Sequence, residues 1–215
     1  MKDYKNELLE LIDEIKGMGI SNESVLNAIS EVPRHLFIRK QNMKEAYGNY
    51  PLPIGYGQTI SQPFTVAFML GALEVKPGQK ILEIGAGSGY NAAVLSKLVG
   101  DKGRVYSIEI VSELADFAIN NLKKIGIKNV QIIGEDGSIG YQKEKPYDRI
   151  IITAGCPEIP KPLIQQLKDK GVIVAPVESF FGQEMIKLTK EKDTIKIKKL
   201  GSFTFVPLRG KHGYD

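Results

Sequence analysis

From residue 79 onward, short apolar segments alternate with longer segments in which apolar residues recur at helical spacing. The segments typical of strands are residues 80–84, 104–110, 130–133, 149–153 and 171–177, and those typical of helices are residues 89–99, 112–125 and 160–167. Strands that alternate with helices build βαβ units with right-handed crossovers and a parallel sheet. The run RIIIT at 149–153 lacks polar alternation, as expected of a strand buried on both faces. We therefore predict an α/β fold with a doubly wound, mostly parallel sheet.

The N-terminal part follows a different pattern. Residues 3–17 show helical spacing, and so does a shorter segment that must stop before Pro33. Residues 40–63 contain several prolines and glycines and are predicted as a long loop. Pro63 then opens a helix, a position where proline is favoured. These features predict a helical extension in front of the sheet.

The C-terminal part contains strand patterns without helices between them. They cover residues 185–189, 194–200 and 203–206. Because parallel strands need a long crossover and none is available here, we expect the sheet to end in antiparallel pairing.

The composition is that of a globular protein, and it argues against a disulfide framework, a zinc site and a membrane helix. Hydrophobic residues make up 42% of the 215 residues and charged residues 25%. A single cysteine, Cys156, excludes an internal disulfide framework, and two histidines make a zinc site unexpected. No apolar run approaches the ~20 residues of a membrane helix, and a net charge of +4 does not demand nucleic acid. We expect a cytoplasmic monomer that binds no metal, membrane or nucleic acid.

The segment ILEIGAGSGY leads from the first strand of the alternating part into a helix. Gly85, Gly87 and Gly89 permit a tight turn at the strand end where open α/β sheets bind ligands. The dinucleotide fingerprint G-x-G-x-x-G would need its third glycine at Tyr90, so that match fails. Glu83 precedes the loop, where it would repel a pyrophosphate and attract a cation. S-Adenosylmethionine carries an ammonium and a sulfonium but no phosphate, so these residues favour it over NAD.

Two carboxylates follow the next two strands. Glu109, in VYSIEI, can accept hydrogen bonds from both hydroxyls of a ribose, each worth ~1.5–3 kcal/mol to a charged acceptor. Asp136, in IIGEDGSIG, can take an adenine amino group while Gly137 lets backbone approach the ring; an Asx turn is the alternative. Both carboxylates follow strand ends, so we expect them to rim one crevice.

ILEIGAGSGY with Glu109 resembles the cofactor motif of class I S-adenosylmethionine-dependent methyltransferases, which have a Rossmann-like fold. One branch, protein-L-isoaspartate O-methyltransferase, is similar in further segments: VPRHLFI, PLPIGYGQTISQP, YDRIIITAG, IPKPLIQQLKDKGVIVAPV and FVPLRG. The resemblance covers about residues 30–210. The glycine motif identifies only the superfamily, whereas GQTIS and FVPL are specific to the branch.

The resemblance implies transfer of a methyl group from S-adenosyl-L-methionine to the α-carboxylate of L-isoaspartyl residues in damaged proteins. The product cofactor would be S-adenosyl-L-homocysteine, and the ester would close to a succinimide that hydrolyses partly to aspartate. We expect one domain over residues 1–215. Within it, residues 1–78 would form the N-terminal helices and active-site loop, 79–177 the cofactor-binding βα units, and 178–215 the C-terminal strands and substrate segment.

Matching positions imply roles for individual residues. Ser61 is implied as the active-site serine. The residues implied to bind the cofactor are Thr59, Ile60, Gln62, Glu83, Gly85, Ala86, Gly87, Gly89, Glu109, Ile110, Asp136 and Gly137. Those implied to bind the substrate are Ile60, Ser61, Val206, Pro207 and Leu208. The chain departs from the family pattern at Glu135, where glycine is common, and at Asn49, where an acidic residue is common.

The chemistry of a carboxylate nucleophile fits these residue types. A carboxylate is ionised at neutral pH and needs no general base, so catalysis is mainly positioning, worth ~7–11 kcal/mol in favourable cases. The Ser61 hydroxyl can hold one carboxylate oxygen while the other attacks, although it could instead cap the helix that Pro63 opens. Pro207 donates no N–H, so its neighbours' backbone groups are predicted to stay free for a bound peptide, unless the segment is an ordinary edge strand.

Three other hypotheses stay open at this point. A nucleic-acid or other small-substrate methyltransferase would suit the basic charge, but an N-P-P-Y motif is absent and Cys156-Pro157 reverses the Pro-Cys nucleophile. A NAD-dependent oxidoreductase is disfavoured by Tyr90, and a cofactor-binding protein without catalysis is disfavoured by the Thr59–Ser61 segment. Arg34 is assigned no role.

Overall fold

Strands and helices alternate along most of the chain in the computed structural model, which describes residues 4–192 and 194–214. The helices are α1 (Lys5–Gly17), α2 (Glu23–Glu31), α3 (Pro63–Leu73), α4 (Tyr90–Val99), α5 (Ser112–Lys124) and α6 (Lys161–Gln166). The strands are β1 (Leu52–Gly55), β2 (Gln58–Ile60), β3 (Lys80–Ile84), β4 (Arg104–Ile108), β5 (Val130–Ile133), β6 (Tyr147–Ile152), β7 (Leu167–Ser179), β8 (Gly182–Glu191) and β9 (Thr194–Phe203). Short 3-10 helices span Arg34–Phe37, Lys40–Glu45, Gly137–Ile139 and Gln142–Glu144.

Seven of the described strands form one sheet in the order β5-β4-β3-β6-β7-β8-β9. The first five in that order pair in parallel, while β7–β8 and β8–β9 pair antiparallel. The predicted mostly parallel sheet with antiparallel C-terminal strands is therefore confirmed. The chain leaves β3 towards one edge and later returns to β6 on the other side of β3. The carboxyl ends of β3 and β6 thus form a topological switch point, the usual ligand position in such sheets.

Both faces of the central strands are buried. Ile81 of β3 and Ile151 of β6 belong to the hydrophobic cluster that includes α1 to α4. Their chain neighbours Leu82 and Ile150 belong to a second cluster, which includes Leu163 of α6. Successive side chains of a strand point to opposite faces, so the absence of polar alternation in these strands reflects cover on both sides.

The N-terminal helices form the predicted extension and pack on the first of these clusters. In α2 the Asn22 side chain caps the helix by accepting from Val25 N at 3.2 Å. α3 begins at Pro63, as predicted, and ends at Leu73. In the part of the chain that the structure describes, no helix combines the length and apolar character that crossing a bilayer requires.

Two sequence predictions are wrong, both near the carboxyl edge of the sheet. Residues 40–63 are not a continuous loop, because Lys40–Glu45 is a 3-10 helix and β1 pairs with β2 as an antiparallel hairpin. Strands this short, broken by proline and glycine, carry little periodic signal. Residues 203–206 are not a separate strand: β9 ends at Phe203, and the segment beyond it makes an isolated bridge between Pro207 and Gly155.

Candidate active site

A crevice lies at the carboxyl ends of β3, β4 and β6. Its walls come from parts of the chain that are far apart in sequence: the β1–β2 hairpin, the glycine loop after β3, the residues after β4, and the segment after β9. The predicted site residues that line it are Thr59, Ile60, Ser61, Gly85, Ala86, Gly87, Glu109, Ile110, Gly137, Val206, Pro207 and Leu208. Four predicted cofactor residues lie outside this lining, namely Gln62, Glu83, Gly89 and Asp136.

The glycine loop is clamped between the ends of its two neighbouring strands. Gly85 donates its N–H to Ile108 O at 2.8 Å and has φ +95°, a conformation that favours glycine. A Cβ on Gly85 would lie 2.5 Å from Thr153 Oγ1, and that hydroxyl donates to Gly85 O at 2.7 Å. Thr153 therefore leaves room only for glycine at this point, and the bare backbone of Gly85 lines the crevice. Gly89 serves packing instead, since a Cβ there would lie 3.1 Å from the Cβ of Ala118 on α5.

Glu109 is the buried carboxylate of the crevice wall. Its side chain accepts from Gly87 N at 2.7 Å through one oxygen and from Val111 N at 3.0 Å through the other. Each carboxylate oxygen has two lone pairs, so one on each remains for a ligand. This arrangement fits a donor with two adjacent hydroxyls, such as the ribose of S-adenosylmethionine.

Glu83 lies one layer behind the wall. It is 0% exposed, and it accepts from Asn91 Nδ2 at 2.7 Å and from the Ser107 hydroxyl. Burial raises the pKa of Glu83 to about 7, because the charged carboxylate loses its hydration. Asn91, in the first turn of α4, does line the crevice. Glu83 thus meets the crevice only through Asn91, a lining residue without a predicted role, and its role toward a cofactor stays a prediction.

Asp136 holds two backbone segments together. One oxygen accepts from Ser138 N and the other from Lys211 N, both at 2.8 Å. The carboxylate thus makes the Asx-type turn and also ties the segment after β9 to the end of β5. Its role toward adenine stays a prediction, and Gly137 beside it does line the crevice.

Ser61 does not cap α3, because the N-cap position is Gln62. The Gln62 amide donates to Asn49 O at 2.9 Å, and the Asn49 side chain accepts from Phe64 N at 3.0 Å. Within the described residues, the Ser61 hydroxyl makes no hydrogen bond and neither histidine lines the crevice. The site therefore offers a free neutral hydroxyl and no serine–histidine pair.

The backbone on either side of Pro207 is already engaged. Val206 O accepts from Gly155 N at 2.8 Å, and Leu208 N donates to Gly155 O at 2.7 Å. The prediction that these groups stay free for a peptide is therefore wrong for Val206 O and Leu208 N. Gly155 lies in the turn after β6, and no motif around it indicates that it would pair there.

Comparison with known proteins identifies the family. The model of the protein-L-isoaspartate(D-aspartate) O-methyltransferase family matches residues 5–213. The chain belongs to this family. It is 50% identical over 206 residues to the protein-L-isoaspartate O-methyltransferase of Methanosarcina mazei, covering 95% of this chain and 84% of the relative. It is 48% identical over 216 residues to that of Pyrococcus horikoshii, covering 99% and 97%.

Solved structures of the family are similar in fold. A protein-L-isoaspartate O-methyltransferase structure aligns with a TM-score of 0.88 and 30% identity, over 96% of this chain and 67% of that chain. A Plasmodium falciparum protein of the same description, in complex with S-adenosyl-L-homocysteine, aligns with a TM-score of 0.84 and 26% identity over 97% and 99%. The predicted class I methyltransferase fold is confirmed.

Arg34 positions the loop that ends at Ser61, a role that the sequence analysis missed. Its side chain is 0% exposed and donates to Ala46 O at 2.9 Å, to Ser61 O at 3.0 Å and to Tyr50 O at 3.3 Å. Burial lowers the pKa of Arg34 to about 10, so the guanidinium stays charged at neutral pH. The available signal was an arginine inside the apolar run VPRHLFI, since buried arginines are rare unless their donors are paired.

We predict that Arg34→Lys loosens residues 46–61. An ammonium cannot reach three separate carbonyls as the planar guanidinium does, and each lost bond to a charged donor costs ~1.5–3 kcal/mol. Backbone hydrogen exchange across residues 46–61, followed by mass spectrometry, should accelerate at least ~10-fold.

Arg149→Lys is the matched control. Arg149 is also buried and donates to a helix-end carbonyl, Leu73 O at 2.8 Å, but it does not contact the loop. Equal acceleration at 46–61 in both variants would show that Arg34 has only a general effect on stability.

The raised pKa of Glu83 predicts a pH-dependent effect of Glu83→Gln. A carboxyl whose pKa rises from 4.5 to about 7 on folding disfavours the folded state increasingly as pH increases through that window. The glutamine variant escapes this penalty. Relative to wild type, its free energy of unfolding should increase by about 2–3 kcal/mol between pH 5 and pH 8. Urea denaturation at both pH values measures the difference, and a pH-independent offset would contradict the prediction.

Proposed function

We propose that the chain is a methyltransferase that moves a methyl group from S-adenosyl-L-methionine to the α-carboxylate of L-isoaspartyl residues in damaged proteins, which starts repair through a succinimide. One observation carries the proposal. The wall formed by the glycine loop and Glu109 opens into the same crevice as Ser61 and residues 206–208. This arrangement supports adjacent positions for cofactor and substrate, and membership of the family over residues 5–213 supports the same reaction.

The residues present fit the cofactor. Glu109 keeps acceptor capacity for two hydroxyls, and the backbone of Gly85 to Gly87 allows close approach. Ile110 adds apolar surface for a flat ring, and Gly137, packed against Ile84, lines the same crevice. When bound, S-adenosylmethionine supplies an electrophilic methyl group. The residues of the crevice would bind the cofactor and orient its methyl group toward the nucleophile. Such positioning is the main task of a catalyst for in-line displacement.

The substrate side of the crevice positions an anion without neutralising it. The free hydroxyl of Ser61 can donate to one carboxylate oxygen, which leaves the other for attack. A neutral donor fixes orientation and withdraws less charge from the nucleophile than a paired cation would. Arg209, which also lines the crevice, is exposed, so its attraction for the carboxylate is screened by solvent.

The remaining features of the proposal concern the setting of the enzyme. We infer that residues 1–215 act as one monomeric unit in the cytoplasm, on protein rather than nucleic-acid substrates. The single thiol supports a reducing compartment, because Cys156 is buried and has no cysteine partner.

The first test compares two peptides that differ only in one linkage. With labelled S-adenosylmethionine, a peptide containing L-isoaspartate should accept label, and the same peptide containing aspartate should not. An RNA sample serves as the third arm. Equal labelling of both peptides, or labelling of RNA alone, would overturn the proposal.

The second test separates orientation from cofactor binding. Ser61→Ala removes a donor to a charged acceptor, so kcat should fall ~10- to 100-fold while the Kd for S-adenosylhomocysteine changes less than ~3-fold. Glu109→Gln places an amide NH₂ group opposite a backbone N–H that now donates to the carboxylate. Binding of S-adenosylhomocysteine should therefore weaken ~10- to 100-fold. Calorimetry and steady-state kinetics measure both.

Ser202→Ala, at an exposed position on β9, is the control and should change neither quantity. If Ser61→Ala instead destroys cofactor affinity, Ser61 belongs to the cofactor site and not to the substrate site.

A further inference from the structure

Two phenylalanines form the tip of the β7–β8 hairpin with almost no cover from the rest of the chain. Phe180 is 95% exposed and Phe181 is 91% exposed. Phenylalanine is usually buried, so an exposed pair is informative. The two rings contact each other edge to face, with centroids 4.9 Å apart. They present one continuous apolar surface to the outside.

The turn itself does not require aromatic residues. Ser179 pairs with Gly182, the Ser179 hydroxyl donates to Gly182 O at 2.9 Å, and Gly182 takes a φ of +113°. Tight hairpin turns favour glycine, asparagine and aspartate for their backbone freedom, not phenylalanine. Closure of the hairpin is thus secured by its flanking residues, and the aromatic pair needs another explanation.

The tip lies at the same edge of the sheet as the crevice. β7 runs parallel to β6 and extends past it, with Val177 bridged to Cys156; Gly155 is bridged in turn to Pro207 in the crevice wall. Phe180 is thus two strand spacings across and four residues along from Pro207. At ~4.8 Å per spacing and ~3.3 Å per residue, the separation is about 16 Å.

The hairpin is also fixed to the predicted substrate segment. The Gln183 side chain, next to the turn, donates to Phe205 O at 3.1 Å and accepts from Phe205 N at 2.7 Å. Residues 205–208 and the hairpin therefore hold a constant relative position, and a ligand in the crevice can reach the tip without rearrangement of the protein.

We propose that the Phe180–Phe181 tip binds an apolar side chain of the protein substrate, about five residues from the isoaspartate along an extended chain. The inference rests on the proposed function, because it takes the isoaspartyl carboxylate to lie in the crevice. A native domain buries its apolar side chains, whereas a damaged segment that has lost structure exposes them. The tip therefore favours unfolded polypeptide over intact protein.

The area of the tip favours this occupant over a second copy of the chain. A phenylalanine can bury ~150–250 Å², so the pair offers at most about 500 Å². A stable protein–protein interface buries ~800 Å² per partner. One or two side chains of a peptide that is already held in the crevice need no such area.

The test compares flanked peptides in wild type and in Phe180→Ser/Phe181→Ser. Three longer peptides contain L-isoaspartate with phenylalanine five residues before it, with phenylalanine five residues after it, or with serine at both positions. A fourth, short peptide lacks these positions. In wild type, phenylalanine on one side should lower KM on the order of tenfold relative to serine. The double serine variant should lose that preference and keep wild-type kcat/KM for the short peptide.

Two further variants serve as controls. Ile197→Ser removes another exposed apolar side chain, 63% exposed on β9 and away from the tip, and should keep the preference. Phe180→Leu/Phe181→Leu retains apolar surface at the tip and should keep most of the preference for the phenylalanine peptide.

Each failure has a distinct meaning. If neither wild type nor any variant methylates the short isoaspartyl peptide, the proposed function is wrong. If all variants methylate it equally and wild type ignores the flanking phenylalanine, the docking inference alone is wrong. The docking inference would also be overturned if the double serine variant lost self-association or binding to phosphatidylcholine vesicles while its KM for the flanked peptides stayed unchanged.

Discussion

The pairing of β3 with strands on both of its sides is the constraint on which the site depends. β4 follows β3 on one side and β6 lies on the other, so the chain after β3 must turn in a narrow space between two strand ends. Thr153 closes that space against Gly85, which leaves no room for a side chain there. The crevice is thus a consequence of strand order, and Glu109 enters it because the adjacent strand ends one residue earlier.

A second constraint couples the N-terminal extension to that crevice. Arg34 carries a buried charge whose three recorded hydrogen bonds go to carbonyls, at Ala46, Tyr50 and Ser61. Removing such a charge from water is costly unless its donors are paired, so the loop is held in the one shape that satisfies the guanidinium. The extension therefore does more than cover the sheet, because it fixes the backbone that presents the Ser61 hydroxyl.

The sequence predicted features that are encoded locally and missed those that depend on distant partners. The strand at Lys80–Ile84 was predicted with its exact bounds, and the glycine loop was assigned to the crevice, because apolar runs and turn residues act over a few positions. The β1–β2 hairpin escaped notice since its strands are short. The contacts of Arg34 span up to 27 positions, and the backbone bonds of Gly155 join segments even further apart. No periodicity or motif within one segment reports such contacts.

The crevice contains few titratable groups, and the charge of the nucleophile explains why few are needed. Among the described residues that line the crevice, Glu109 and Arg209 are the charged ones. Glu109 is committed to backbone N–H groups and to the cofactor side, while Arg209 is exposed at the rim. A carboxylate nucleophile needs no proton acceptor, and a buried cation beside it would lower its reactivity. Under the role proposed for Ser61, a hydroxyl held by the loop is sufficient. The demand for precision then falls on the loop and on Arg34 rather than on an acid–base pair.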